Sequence, residues 1–417
     1  MGEESGRQRG GLHYGWIIAI MGVVTVLGAL GLARFGYTMI LPSMKEGLGL
    51  TDSQAGDLAT ANMIGYLVMA VTCGYLASRF GPRGVIAIFM CIISGSMILT
   101  GMAPNYQVAL IGRLLTGVGS GGTNVPVMGL VPAWFAAKRR GLAAGMAVSG
   151  SSFGMVITGL LVPAILSRWG GVGWRYSWFC LSGFALVIAV LGYVILRNHP
   201  RDKGLSPIGA EESDSVAAVP RSSALQWGLV YRAAPVWHLA LIYVLFGFSY
   251  IIYTTFFARY LTWEAGFTTE AAGALWSVVG MVSIISGFIW GAVSDIVGRK
   301  YGLAIVYFLQ FLCFTIFGLW KAPAGYYLSA LLFALTAWSI PGIMAAASGD
   351  LLGARLAPAA LGFITLFFGV GQASGTFVGG RIADFTGSYT AAFVIAGAAA
   401  LVGAVASLFL RSPEKAL

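Results

Sequence analysis

One arginine is the sharpest chemical signal in this chain. Arg34 sits about eighteen residues into an apolar run that begins near Gly15, roughly 27 Å along a helix axis at 1.5 Å per residue. A charge at mid-membrane costs about 2.5–3.5 kcal/mol on insertion scales, so it is tolerated where it faces water, a partner or a ligand. The guanidinium keeps its proton at any relevant pH and can grip a carboxylate through two parallel bonds. Two readings follow: a fixed cation for an anionic substrate, or a structural partner for Asp57 near the start of the next run. Tyr37, three positions on, shares the Arg34 face. Arg113 lies a turn or two into a later run, where a structural or proton-relay role is favoured over direct contact. Asn124, beside Pro126, has spare hydrogen-bonding capacity at a proline kink, and a helix-to-helix bond is its equal alternative.

No catalytic constellation accompanies these residues. His13, His199 and His238 fall at run ends or in a polar segment, without a nucleophile pattern or metal spacing. Cys73, Cys91, Cys180 and Cys313 all lie in apolar runs, so neither a disulfide framework nor a zinc site is expected. No G-x-x-x-x-G-K-[ST] loop occurs, which excludes ATP as the energy source by that motif. The expectation is a non-enzyme with no cofactor and no metal.

The elements that must position Arg34 are legible in the composition. Of 417 residues, 58% are hydrophobic and 10% charged, against about 25% charged in a soluble domain. Twelve apolar stretches can be counted, near 15–41, 54–77, 84–103, 107–133, 141–166, 174–196, 236–261, 270–293, 301–319, 325–349, 359–380 and 389–410. Each approaches the roughly 20 residues that cross a bilayer as helix. The ten-residue alternation of a membrane barrel is absent. A polar tail with Arg7 and Arg9 precedes a first run too long for a signal peptide, so no cleavable leader is expected. The net charge of +10 could suggest nucleic acid, but the charges sit in short loops and read as topology. Seventeen basic residues fall on the side of the termini and six on the other, which predicts cytoplasmic termini in a multi-pass cell-membrane protein. The longest polar stretch, 197–234, reads as a cytoplasmic linker with a short surface helix around 222–231. It divides the chain into six-helix units at 1–196 and 235–417.

The two units repeat each other. At an offset of 217, Gly74 meets Gly291, Ser78 meets Asp295, Gly81 meets Gly298, Arg83 meets Lys300 and Gly145 meets Gly362. That is the trace a duplicated six-span unit leaves. The loop Gly291–Lys300 resembles the G-x-x-x-D-x-x-G-R-K/R signature of the major facilitator superfamily, and Gly74–Arg83 resembles a degraded copy in which Ser78 replaces the acid. Arg113-Leu114-Leu115-Thr116-Gly117-Val118-Gly119 is similar to the superfamily's fourth-helix pattern, and Gly145, Gly150 and Gly154 to its glycine-rich fifth helix. Tyr14-Gly15-Trp16 with Arg34 resembles the first helix of monocarboxylate and oxalate porters. Their acid and Arg on span 8 have no counterpart here.

The resemblance implies an all-α membrane fold of twelve helices in two pseudo-symmetric bundles, with spans 1, 4, 7 and 10 lining the route. It directs attention to Tyr250 and Tyr253 on span 7, Trp338 on span 10, Trp276 on span 8, Gln372 on span 11, and Asn62 with Tyr66 on span 2. A packing or interface role is the equal alternative for each aromatic. Gating or coupling falls to Asp57, Arg113, Asp295 and Arg299, with Asp295 at an inner gate. The leading function is proton-linked secondary transport of a small organic anion, a monocarboxylate foremost, by a monomer in the bilayer with no nucleic-acid partner. Efflux of drugs or metabolites, and a non-transporting receptor or assembly factor, are the alternatives.

Overall fold

The computed structural model describes residues 13–136, 139–210 and 232–410, with the side chains of 352–355 and 358 left aside. The surface helix expected around 222–231 lies outside the described residues. Among the described residues, ten stretches of helix are long and apolar enough to cross a membrane. One of them, Arg140–Ile195, turns through Gly170–Val172 into two helices, and Tyr106–Ala133, more polar because of its Gly/Ser/Thr-rich middle, completes twelve. We label them α1 (Tyr14–Leu48), α2 (Asp52–Phe80), α3 (Pro82–Met102), α4 (Tyr106–Ala133), α5 (Arg140–Trp169) and α6 (Gly173–Ile195). The second half follows as α7 (Ala234–Trp263), α8 (Thr269–Val297), α9 (Arg299–Leu319), α10 (Pro323–Leu351), α11 (Ala359–Thr386) and α12 (Thr390–Leu408).

The repeat is physical as well as sequential. Thr51 and Thr268, again 217 apart, cap α2 and α8 by accepting the backbone N–H groups of Gln54 and Ala271. At the other ends of those helices Gly81 and Gly298 take φ values of +82° and +92°, a conformation open to glycine and costly for other residues. Both glycines of the matched loops therefore serve the same sharp turn into the next helix.

Where the sequence predicts an end at Leu41, ahead of Pro42, α1 runs on to Leu48 and stops at the left-handed Gly49. It is also not uniform. Leu27–Phe35 is π-helical, with the Gly36 N–H reaching Gly31 O five residues back. Gly31 lies where any Cβ would press on the Gly154 backbone, so α1 and α5 touch main chain to main chain.

Within the first half α2 and α3 pack on α4, and α3 on α6; within the second, α7 packs on α11 and α12, and α9 on α12. The halves meet through α2 with α11, α5 with α8, and the end of α1 with α7. We call the side that carries 196–210 the linker face and the opposite side the far face.

Candidate functional site

The π-helical stretch brings Arg34 to the junction of the halves. Its Nη2 donates to Met63 Sδ on α2 at 2.8 Å and to Tyr250 Oη on α7 at 3.3 Å. Gln372 on α11 donates to the same phenol oxygen. The guanidinium carbon lies 5.8 Å from the ring centroids of both Phe35 and Tyr66. Asn124 on α4 then donates to Tyr66 Oη at 2.9 Å. Helices α1, α2, α4, α7 and α11 thus converge on one polar cluster, and both halves contribute to it.

The cluster is under-satisfied. Arg34 is 8% exposed, and both bonds it makes leave from one nitrogen, one of them to a thioether, a weak acceptor. Its Nε is buried without a partner, as is the Oδ1 of Asn124. The expected alternative, pairing with Asp57, is not what the structure contains. Asp57 binds Arg381 on α11 at 2.8 Å and accepts a bond from Tyr106 at 3.3 Å. Among the described residues no carboxylate pairs with Arg34.

Of the residues singled out in the sequence, Arg34, Tyr66, Asn124, Tyr250 and Gln372 come together, and Trp338 borders them. The Trp338 indole donates to Ser152 Oγ at 2.8 Å, Ser152 shares a bond with Ser283 across α5 and α8, and the ring meets Phe35 at 5.8 Å. The others lie elsewhere. Asn62 donates to the Arg113 carbonyl and Tyr37 to the Ala55 carbonyl, both bonds between helices of the first half. Tyr253 bonds Ser329 among Phe257, Phe314, Phe317 and Phe333, and Trp276 meets Phe257 with tilted rings at 5.2 Å. Tyr253, three residues from Tyr250 and so about 60° short of a full turn, faces the aromatic core of the second half rather than the junction.

Met63 was missed, since nothing in a sequence marks a thioether as an arginine partner. The network on the far face was missed too, because its members are distant in the chain. There Asp384 accepts from the backbone N–H groups of Asp52 and Ser53 at 2.7 and 2.8 Å, Tyr389 donates to Asp52, Arg259 meets Glu46 at 3.3 Å, and Thr38 donates to the Thr254 carbonyl. Every one of these links joins the halves. On the linker side of Arg34 and Ser152, no hydrogen bond or ion pair joins them among the described residues. Arg299 instead binds Asp295 and Asp350, tying α8, α9 and α10 within the second half beside a cleft of about 340 Å³. In the first-half copy, among the described residues, Ser78 bonds the Tyr75 carbonyl alone, at 2.8 Å. Among the described residues, the polar links between the halves are thus concentrated on the far face, while apolar contacts such as Leu67 with Gly369 continue toward the linker face.

Comparison with known proteins agrees with this architecture. The family described as an uncharacterised MFS-type transporter, YbfB, matches residues 26–408. A probable sulfoacetate transporter, SauU, of Cupriavidus necator is 26% identical over 94% of this chain and 93% of its own. The hexuronate transporter of Bacillus subtilis is 25% identical over 91% of each. A bacterial homologue of the human lysosomal transporter Spinster, solved inward-facing and occupied, superposes with a TM-score of 0.74 at 15% identity over 96% of each chain. The matched span, the twelve helices and the duplicated loops together place the chain in the MFS-type transporter family.

Proposed function

We propose that this transporter carries a small organic anion, with the carboxylate or sulfonate held by Arg34 and Tyr250 and a second polar group met by Asn124 and Tyr66. The observation that carries the reading is a buried guanidinium at the junction of the halves with no carboxylate partner among the described residues. Such a charge gains most from an incoming anion, and two of the relatives are described as a probable sulfoacetate transporter and a hexuronate transporter. A monocarboxylate is the smallest ligand of this kind. The excess of basic residues in the even-numbered connections and terminal segments of the sequence supports assigning the linker face to the cytoplasm. In this reading transport proceeds by exchanging the far-face links for links on the linker face.

Proton linkage is assigned to Asp57, whose protonation would release Arg381 and loosen the far face. The Asp295–Arg299 pair is assigned to the inner gate, and the 1–196 and 235–417 units to the two moving bundles of a monomer. An efflux carrier for cations would need a carboxylate near the centre, and none lies there among the described residues. Uptake of labelled sulfoacetate, D-glucuronate and propionate, with and without the gene, tests the reading. Accumulation of at least one of them, lost in Arg34→Ala at unchanged membrane level, is expected. Transport of cationic or neutral solutes alone would overturn it.

A further inference from the structure

The π-helical stretch has no explanation in propensity. Leu27-Gly28-Ala29-Leu30-Gly31-Leu32-Ala33-Arg34-Phe35 is a short-side-chain and leucine sequence that ordinary α-helix would accommodate, and π-helical turns are rare and concentrate at functional sites. Something outside α1 must hold it, and two neighbours do so from different sides. From α4, Ser120 Oγ donates to the Ala29 carbonyl at 2.7 Å and Arg113 Nη1 to the Ala33 carbonyl at 2.8 Å. The two acceptors are four residues apart and the two donors seven apart, so each pair lies on a single helix face. From α5, Gly150 and Gly154 press directly on the backbone at Val23, Leu27 and Gly31.

Arg113 also spans the end of the stretch. It grips the carbonyl immediately before Arg34, and its guanidinium lies 4.6 Å from the ring of Tyr37, three residues after. A buried arginine spent on a backbone carbonyl and two rings is an expensive brace, and what it braces is the backbone on either side of Arg34.

We propose that Arg113 and Ser120 are positioning residues: they hold the π-helical stretch Leu27–Phe35, and so aim Arg34 at the site where the anion binds. The proposal rests on the anion reading of Arg34. It differs from a gate or proton relay at Arg113 because it acts on affinity through another residue. Arg113→Met leaves the Ala33 carbonyl without its donor and frees the stretch to relax toward α-helix. Arg113→Lys keeps one donor and the charge.

The test has two arms on the full chain, with sulfoacetate as the probe. In the uptake arm, Arg113→Met should raise the half-saturating concentration about tenfold with the maximal rate kept within about twofold. Arg113→Lys and Ser120→Ala should each stay within about threefold of the starting protein. In an Arg34→Lys background, Arg113→Met should add little, because its effect passes through Arg34. In the second arm, hydrogen exchange of the purified protein should speed up in peptides covering 27–36 in Arg113→Met, and less in Ser120→Ala, while α7–α12 stay unchanged. A fall in maximal rate at unchanged half-saturation, full additivity with Arg34→Lys, or unchanged exchange in 27–36 would each overturn the proposal. If none of sulfoacetate, D-glucuronate and propionate is taken up, or Arg34→Ala alters the uptake of none of them, the anion reading fails separately. The exchange arm then still decides whether the brace exists.

Discussion

Arg34 and Arg113 are the same residue type at similar depth, both buried, and neither has a carboxylate partner among the described residues. Their surroundings differ in origin. The partners of Arg113 all lie inside the first half: the Ala33 carbonyl at 2.8 Å, and the rings of Tyr37 and Trp178 at 4.6 and 5.3 Å, while its Nε, like that of Arg34, is buried without a partner. Arg34 draws on both halves and receives poorer partners, a thioether and one long bond to a phenol already claimed by Gln372. A guanidinium held within one half is suited to a brace. One placed between the halves is suited to a ligand whose arrival both halves can feel. Neither burial nor the unpartnered Nε separates these roles; the source of the partners does.

The comparison can be broken most forcefully at Arg34. Arg34→Ala should lower uptake by about a hundredfold or more, the scale of removing one side of a buried charge pair, while surface level and monodispersity hold. Arg34→Lys keeps the charge without the planar fork, and should transport with about tenfold weaker apparent affinity. A next smaller effect is expected at Asp57, whose partner Arg381 reaches across the far face. Asp57→Asn should remove the response of uptake to an imposed pH gradient while leaving exchange of internal for external substrate in place. Uptake that still follows the gradient would move proton coupling elsewhere. Smallest is Asp295→Asn. Its pair with Arg299 is solvent-exposed on the acid's side, and exposed pairs contribute little to stability. Turnover should slow by about two- to fivefold, with equilibrium affinity within the same range. A large loss of affinity at normal turnover would refute a gate there.

Much of the fold was legible because hydrocarbon imposes one rule on every span, and because the duplicated loops carry glycines that only their backbone conformation requires. The central cluster was legible in part. Arg34, Asn124 and Gln372 stand out as polar groups in apolar runs, and the structure gathers them with Tyr66 and Tyr250. Tyr253 and Trp276 could not be told from these by type or spacing, since a core aromatic and a site aromatic look alike until their neighbours are known. The π-helical stretch left no periodic signal, because glycine, alanine and leucine suit either helix and the choice is made by α4 and α5. The far-face network of Asp52, Asp384, Tyr389 and Glu46 with Arg259 depends on pairings over 200 residues or more, which no local pattern encodes.

The central claim is that the ligand's negative charge meets Arg34, and it can be measured as a coupling between the two charges. Binding of D-glucuronate and of its neutral amide, D-glucuronamide, is determined calorimetrically on purified starting protein and on Arg34→Gln. The account predicts that the starting protein prefers the carboxylate by about a hundredfold, near 2.7 kcal/mol, and that the preference falls below about threefold in Arg34→Gln. An undiminished preference in Arg34→Gln would contradict it, and would place the anion's counter-charge elsewhere in the molecule.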